Sequence, residues 1–434
     1  MSRRHRLHLA CLGLLAAALP ARAAPDPAIA AHVFQQAREI CQADAGQLWG
    51  RSLCGPIMIV DPRDRGMVAN QADAEGVLSP TGEVHAGTLP AGVMVANTAI
   101  DWAGERWTQL MWPVSADPDM LRAMVVHELF HRIQPELGLR VPEGDNAHLD
   151  TLEGRYLLQM EWRALARALM ALDAQARRGH VADALAFRQE RRRLFPKAAA
   201  AENALELNEG LAEYTGARLG LRLPEQRLAY ATYALARQLD APSFVRSFAY
   251  ASGPAYGLLL DEALPDWRRG LGGDTDLGAL LAQAWRIGPA RPGEVATRSR
   301  HDPDGSLRLA EERRDAERQA RLAAWRASLV DGPVIVLPLK RTRMQMNPQT
   351  LVPLDDIGTV YPVLRLADEW GELVVEGGAA LVANAPRRAV VAVPRGGDLL
   401  AGDGWTLHLA PGWQLVPGER QGNLRRRRPF RSRH

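Results

Sequence analysis

Cysteine is scarce in this sequence of 434 residues, which contains only three. Cys11 lies in an N-terminal segment that we expect to be removed, so the body of the chain keeps Cys41 and Cys54. No histidine lies close to either residue, which argues against a cysteine metal ligand or a cysteine nucleophile. In an oxidising compartment the pair can close one small loop, and we predict a disulfide between Cys41 and Cys54.

Long apolar runs are also lacking, apart from one near the N-terminus. Residues 7–19 are apolar but too short to span a bilayer comfortably. A basic segment precedes this run, and Ala21-Arg22-Ala23 follows it, which is the pattern of a cleaved secretory signal. We therefore expect a signal peptide over residues 1–23, no stable membrane span after its cleavage, and a periplasmic or extracellular protein.

The basic charge is concentrated at the two ends of the chain. Ten arginines lie in the signal segment and in the tail from Arg425, and without them 43 basic residues face 50 acidic ones. The body therefore carries a net charge near −7, against +3 for the whole chain, and we expect no nucleic-acid partner. The arginine-rich tail, residues 421–434, is expected to be disordered.

Hydrophobic periodicity divides the rest of the chain into three parts. Residues 24–116 begin with a helix and continue with strand-like runs, among them residues 92–97. Residues 117–330 have helical patterns, including one long helix predicted over residues 149–179. Residues 331–420 return to short β runs and are predicted to form an accessory module. The predicted fold class is α+β, with a larger unit of an N-terminal sheet and helices followed by this small β module.

The most informative motif is H-E-x-x-H, formed by His127, Glu128 and His131. Asp117-Pro118 offers a helix cap and a first-turn proline, so the motif is predicted to lie on a helix. With about 3.6 residues per turn, two histidines four positions apart face the same side. This arrangement suits two imidazole ligands on one Zn²⁺, with the glutamate placed to handle a metal-activated water.

A catalytic zinc ion usually has a third protein ligand and one open position. The segment Asn208-Glu209-Gly210-Leu211-Ala212-Glu213 is the best source, because Glu209 and Glu213 are four apart on a predicted helix. One carboxylate can bind the metal while the other orients a ligand histidine. Glu153 is the alternative ligand, 22 positions after His131, although an acidic residue in a first helical turn also simply complements the helix dipole.

These two motifs together resemble the gluzincin branch of the zincin metallopeptidases. The resemblance implies a sheet packed on the helix of the histidines, with an edge strand available to an extended substrate. It implies that Glu209 is the third zinc ligand and that Glu213 supports a ligand from the second layer. The chain departs from the pattern in two ways: Glu213 replaces the usual aspartate, and 78 residues separate His131 from Glu209, where the usual gap is near twenty.

A further motif, Tyr250-Ala251-Ser252-Gly253, resembles the Y-x-x-G of gluzincin aminopeptidases. The resemblance implies that the Tyr250 hydroxyl steadies an oxyanion, with Tyr256 as an alternate, while the alternative is that Tyr250 packs in a helical core. The glutamate that binds a free amine in those enzymes is replaced by Val95, which argues against aminopeptidase specificity.

The sequence therefore predicts a secreted zinc-dependent peptidase that acts on a peptide or protein. His127, His131 and Glu209 would hold Zn²⁺, and Glu128 would be the general base. A zinc-stabilised binding protein without turnover is the first alternative, and it requires a fourth protein ligand such as His148. A zinc hydrolase of a non-peptide amide is the second alternative.

Overall fold

The computed structural model describes residues 25–142, 144–291, 293–346, 350–354, 356–396, 398–418 and 424–427. The predicted signal peptide lies outside these ranges. Two compact units make up the chain, residues 1–136 and residues 137–434. Their elements give the α+β fold with a C-terminal β module that the sequence predicts.

The described part of the first unit contains one six-stranded sheet and two long helices. Its elements are α1 Pro27–Asp44, β1 Ile57–Val60, β2 Gly66–Ala69, β3 Ser79–Thr81, β4 Val84–Thr88, β5 Thr98–Trp102, β6 Glu105–Met111 and α2 Pro118–Ile133. The strand order is β3-β4-β2-β1-β6-β5. Only the β1–β6 pair among these is parallel, and the other pairs are antiparallel.

The local sequence explains how this sheet and its helix form. β1 is buried along its whole length, as expected for an apolar run in the middle of a sheet. β5 and β6 are joined by Ala103 and Gly104, both with positive φ, which is the geometry of a two-residue hairpin. The helix α2 packs against β5 and β6. The sheet therefore supports the helix that carries His127 and His131.

The strand predicted over residues 92–97 is wrong, because this segment is a loop between β4 and β5. Side chains, rather than a neighbouring strand, bind its backbone. The guanidinium of Arg65 donates to the carbonyl of Val93, and Ala96 N–H donates to Gln109 Oε1 at 2.7 Å. Val93 and Val95 pack on the core of the sheet, whereas Met94 is exposed.

The predicted disulfide between Cys41 and Cys54 is confirmed, with the two Cα atoms 5.2 Å apart. It joins the end of α1 to the segment before β1. The carbonyl of Cys54 also accepts a hydrogen bond from Arg132 Nη2 at 2.7 Å. The disulfide segment is therefore bound directly to the last turn of α2, one residue after His131.

The second unit begins with a helical part. Its helices are α3 Leu152–Met170, α4 Ala174–Leu194, α5 Ala198–Leu205, α6 Leu211–Thr215, α7 Pro224–Arg237, α8 Phe248–Ala263, α9 Leu277–Ala284 and α10 Ser306–Arg326. In the described part of this unit, three π-helical turns extend them: Glu206–Gly210, Gly216–Gly220 and Ala327–Asp331. The first of these turns carries Glu209.

The single long helix predicted over residues 149–179 is wrong, since the chain forms two helices there, α3 and α4. The break falls at residues 171–173, where Asp173 caps α4 by accepting a hydrogen bond from Ala176 N–H at 2.7 Å. An aspartate that can cap a new helix competes with continuation of the old one. The two helices then pack against each other along their lengths.

The C-terminal module is a second sheet within this unit. Its strands are β7 Val334–Pro338, β8 Arg343–Met346, β9 Val352–Leu354, β10 Gly358–Asp368, β11 Gly371–Asn384, β12 Arg387–Ala392, β13 Ala401–Gly402, β14 Trp405–Leu409, β15 Gln414–Pro417 and β16 Leu424–Arg427. The main order is β13-β14-β11-β12-β7-β16-β15, and β10 pairs with β11, β8 and β9. Its buried core includes Trp370 and Trp405.

The tail differs in part from the predicted disorder over residues 421–434. Residues 424–427 form β16, which pairs in parallel with β7 and antiparallel with β15. An otherwise open edge of β7 gives this short segment backbone partners that the sequence alone does not reveal. The remaining tail residues lie outside the described ranges. No helix among the described residues combines the length and apolar content needed to cross a bilayer.

Candidate metal centre

The two histidines of α2 lie side by side within the first unit. Asp117 caps the helix as predicted, accepting hydrogen bonds from Asp119 N–H at 2.9 Å and Met120 N–H at 3.0 Å. The Nε2 atoms of His127 and His131 are 3.1 Å apart. Two imidazole nitrogens on one tetrahedral zinc ion, at about 2.0–2.1 Å each, would lie roughly 3.3 Å apart. The spacing of the pair therefore fits one metal ion.

The other ring nitrogen of His131 is also engaged. Its Nδ1 lies 3.0 Å from Oε1 of Gln134, an almost fully buried residue at the end of the same helix. When Nδ1–H donates to that amide oxygen, Nε2 carries the lone pair that a metal requires. Sequence reasoning missed Gln134, although an amide three positions after the second histidine was a visible signal.

Glu128 is buried beside the histidines. Its side chain is 6 % exposed, and its Oε1 lies 4.0 Å from Nε2 of His127. That separation is too long for a direct hydrogen bond and suits a contact through one water molecule. A carboxylate at this distance can therefore reach a solvent molecule held next to the imidazoles.

The C-terminal turn of α2 is held by Arg132 and its neighbours. Arg132 donates to the carbonyl of Cys54, while its own carbonyl accepts from Arg106 Nε at 3.2 Å. A Cβ added to Gly55 would lie 2.5 Å from the Arg132 guanidinium, so the glycine leaves room for this side chain. Burial lowers the pKa of Arg132. The turn that carries His131 is thus fixed from both sides.

Glu209 and Tyr250 come together in the second unit. Glu209 lies on the π-helical turn Glu206–Gly210, and Tyr250 lies on α8. The Tyr250 hydroxyl donates to Glu209 Oε2 at 2.6 Å. The adjacent Asn208 bonds to both backbone groups of Val141, at 3.1 Å to the N–H and 2.9 Å to the carbonyl. Tyr250 therefore holds Glu209, and Val141 holds the residue before it in the same π-helical turn.

Two glycines of α8, Gly253 and Gly257, allow this helix to pack closely against the π-helical turn and against α6. A Cβ added to Gly253 would lie 2.3 Å from the Cα of Gly210. One turn further on, a Cβ at Gly257 would lie 2.1 Å from the ring of Tyr214. The Y-x-x-G motif therefore has a local structural basis, since Gly253 brings α8 close enough for Tyr250 to reach Glu209.

Gly253→Ala is expected to lower the free energy of unfolding by about 1–3 kcal/mol, because overpacking outweighs the helix propensity gained. The measurement is urea denaturation followed by circular dichroism. Gly270→Ala is the matched control, since its Cβ would meet nothing within 4 Å. A Gly253→Ala protein as stable as the control would contradict the backbone contact.

The remaining candidates from the sequence have defined partners. Glu153 forms a two-point ion pair with Arg308 of α10, at 2.9 and 2.7 Å. The buried Glu213 accepts a hydrogen bond from the hydroxyl of Tyr230. Tyr256 lies in the helical core and donates to Glu161 at 2.7 Å. Burial, together with the charge of Glu161, raises the pKa of Tyr256 well above its usual value.

Sequence reasoning also missed a buried network of charges beneath this region. Arg191 of α4 donates to Glu161 at 2.6 Å and to Glu202 at 2.7 Å. His148 Nε2 lies 2.9 Å from the same Glu202. Burial opposes ionisation of Glu202, but Arg191, His148 and Arg192 outweigh it and hold its pKa well below the usual range. The visible signal was the helical spacing of Arg188, Arg191 and Arg192, which resembles a solvated face.

A second group of metal-binding residue types lies elsewhere in this unit. The ligand atoms of His180, Asp183 and His301 lie within 4.8 Å of one another. Asp183 already accepts hydrogen bonds from Arg298, Arg300 and His301. Burial by itself raises the pKa of Asp183, but these three hydrogen bonds outweigh it and lower that pKa to about 2. Two guanidinium groups on one carboxylate disfavour an added cation, so the group is best described as a structural ion cluster.

Comparisons with known proteins provide no relative. Neither family models, nor curated proteins, nor solved structures match this chain.

Proposed function

We propose that this chain is an exported zinc-dependent peptidase whose metal ligands are His127, His131 and Glu209. The observation that carries the proposal is the pair of Nε2 atoms 3.1 Å apart on α2, with a buried glutamate between the two histidines. Two imidazoles and one carboxylate are a typical donor set for catalytic zinc.

The choice of Glu209 over Glu153 is supported by their partners in the second unit. Both carboxylate oxygens of Glu153 bind Arg308, and breaking a two-point pair to free them costs energy. Oε2 of Glu209 instead accepts a hydrogen bond of 2.6 Å from the hydroxyl of Tyr250. A neutral donor on one carboxylate oxygen orients a metal ligand without neutralising its charge.

Zn²⁺ held by these residues would polarise a scissile carbonyl and make a water molecule more acidic. In the proposed reaction, Glu128 accepts the proton of the attacking water and transfers it to the leaving amine. The hydroxyl of Tyr250 has a single proton, which binds Glu209 Oε2 in the structure. In the proposed reaction this hydrogen bond moves from Glu209 to the oxygen of the carbonyl as negative charge develops there. Burial of Glu128 keeps competing water away from this proton transfer.

The proposal also includes export of the protein and a peptide or protein as its substrate. The disulfide between Cys41 and Cys54 is compatible with an oxidising compartment. The net negative charge of the body of the chain argues against a nucleic-acid partner. The alternative of a closed structural zinc site lacks support from His148, because its Nε2 contacts Glu202 at 2.9 Å. A non-peptide amide remains an alternative substrate, since the same chemistry would cleave it.

The test uses the exported protein purified without added metal. One equivalent of zinc is expected by elemental analysis, together with cleavage of unfolded protein substrates. A chelator should remove both the zinc and the activity, and added Zn²⁺ should restore them. Absence of zinc in the folded protein, or activity that survives complete chelation, would contradict the proposal. Cleavage of amide compounds but no peptide would select the alternative substrate.

A further inference from the structure

We propose that Arg188 is a positioning residue for Glu209, acting through the buried carboxylate of Glu206. The inference depends on the proposed function, because it assigns Arg188 to the metal site only if Glu209 binds the metal. Glu206 and Glu209 lie on the same π-helical turn, Glu206–Gly210. The side chains that contact the carboxylate of Glu206 include those of Arg188 and Ser252.

Arg188 holds Glu206 at two points. Its Nη1 donates to Glu206 Oε1 at 2.8 Å, and its Nη2 donates to Oε2 at 2.5 Å. The hydroxyl of Ser252, on α8, adds a long contact of 3.4 Å to Oε1. Both charged side chains are almost completely buried. Parallel bonds between a planar guanidinium and a carboxylate fix orientation as well as distance.

The guanidinium of Arg188 is itself held from other helices. Its nitrogens lie 3.5 Å from Glu161 of α3 and 3.3 Å from Asp276, the cap of α9. A third contact, 3.3 Å long, goes to Asn203 of α5. Since α3, α5 and α9 all contribute, Arg188 fixes the position of Glu206 relative to the helical part of this unit.

The π-helical turn makes this fixation relevant to Glu209. In this turn the Leu211 N–H bonds to the carbonyl of Glu206, one residue further back than in an α-helix. Relaxation to α-helical bonding would shift the register by one residue and rotate the following side chains by about 100° around the helix axis. A metal ligand must remain within about 0.5 Å of its working position. The ion pair at Glu206 therefore stabilises the backbone geometry that presents Glu209.

The position of the ion pair explains why it differs from an ordinary surface pair. The turn is held at four points: Glu206 by Arg188, Asn208 by Val141, Glu209 by Tyr250, and Gly210 by the backbone of Gly253. The three later contacts do not act on the start of the turn. Arg188 restrains that start.

The test compares zinc affinity in two double variants. Arg188→Met with Glu206→Leu removes the pair without leaving a buried charge, because Glu161 keeps Arg191 and Asp276 keeps Arg192. Arg155→Met with Glu311→Leu is the matched control, a buried pair between α3 and α10 in the same unit. Zinc dissociation constants and kcat are measured for both, alongside thermal denaturation.

We expect the Arg188/Glu206 variant to bind zinc about 10–100-fold more weakly and to lose kcat, while the control retains both. Arg188→Lys keeps the charge but loses the two parallel hydrogen bonds of the guanidinium, so it should give an intermediate zinc affinity. This variant serves as the reference if the double variant does not fold. Wild-type zinc affinity in these variants, or equal loss in the control, would overturn the inference. A wild-type protein without zinc would instead remove the proposed function itself.

Discussion

Glu128→Gln is expected to leave zinc bound and to reduce the rate of hydrolysis by about 10²–10⁴-fold or more. Glutamine retains the shape of glutamate but cannot accept the proton of the attacking water. Glu128 is not one of the proposed ligands, and its Oε1 lies 4.0 Å from Nε2 of His127. The measurement is kcat on a fluorogenic peptide, together with the zinc content of the same preparation.

Glu136→Gln is the matched control for this experiment. Glu136 is an exposed residue of the same unit, in a weak contact of 3.7 Å with Arg51, so its replacement should change neither activity nor zinc content. Retention of wild-type turnover in Glu128→Gln would exclude Glu128 as the base. Loss of zinc in that variant would assign it a different role, as a ligand or as a structural support.

Glu209→Gln is expected to weaken zinc binding by more than about 100-fold, because losing a ligand should exceed the effect of losing one of its supports. The amide can still accept the hydrogen bond of Tyr250, so the local fold should be preserved. Glu153→Gln is the rival variant and should retain zinc, at the cost of its ion pair with Arg308. Competition with a chromophoric chelator gives the affinity of each protein.

The two glutamate variants together decide the third ligand. If Glu153→Gln loses zinc and Glu209→Gln retains it, the Asn208-Glu209-Gly210 segment has been misassigned. If both retain zinc, the third ligand is neither residue. Unfolding curves of both proteins must be recorded in the absence of metal, so that a loss of affinity can be separated from a loss of folded protein.

The local features of the first unit could be predicted from sequence. Asp117 and Pro118 indicate the start of α2. The H-E-x-x-H spacing on this helix brings the rings of His127 and His131 together. The disulfide between Cys41 and Cys54 followed from the scarcity of other partners. Each of these features depends on residues close in sequence, where helix caps and side-chain periodicity are informative.

Features that depend on distant partners were not predictable in the same way. Residues 92–97 have a strand-like pattern, but Arg65 and Gln109 bind their backbone as a loop. The strand β16 exists because β7 offers an edge, which a run of arginines does not signal. The π-helical turn at Glu209 has no recognised sequence pattern, although it determines the direction of that side chain.

The buried charges of the second unit illustrate the same limit. Arg188 and Arg191 occupy helical spacing that is typical of a solvated face, yet both are buried against carboxylates from other helices. Their partners lie from 11 to 88 positions away in sequence. Periodicity identifies a charged face but does not identify which element will cover it.

The most direct test of the zinc assignment is a crystal structure of the zinc-loaded protein with anomalous diffraction recorded at the zinc edge. We expect one strong peak, within about 2.0–2.2 Å of His127 Nε2, His131 Nε2 and a carboxylate oxygen of Glu209. A fourth position should hold a water molecule. A peak at His180, Asp183 and His301 instead, or no peak at the paired histidines, would contradict the account.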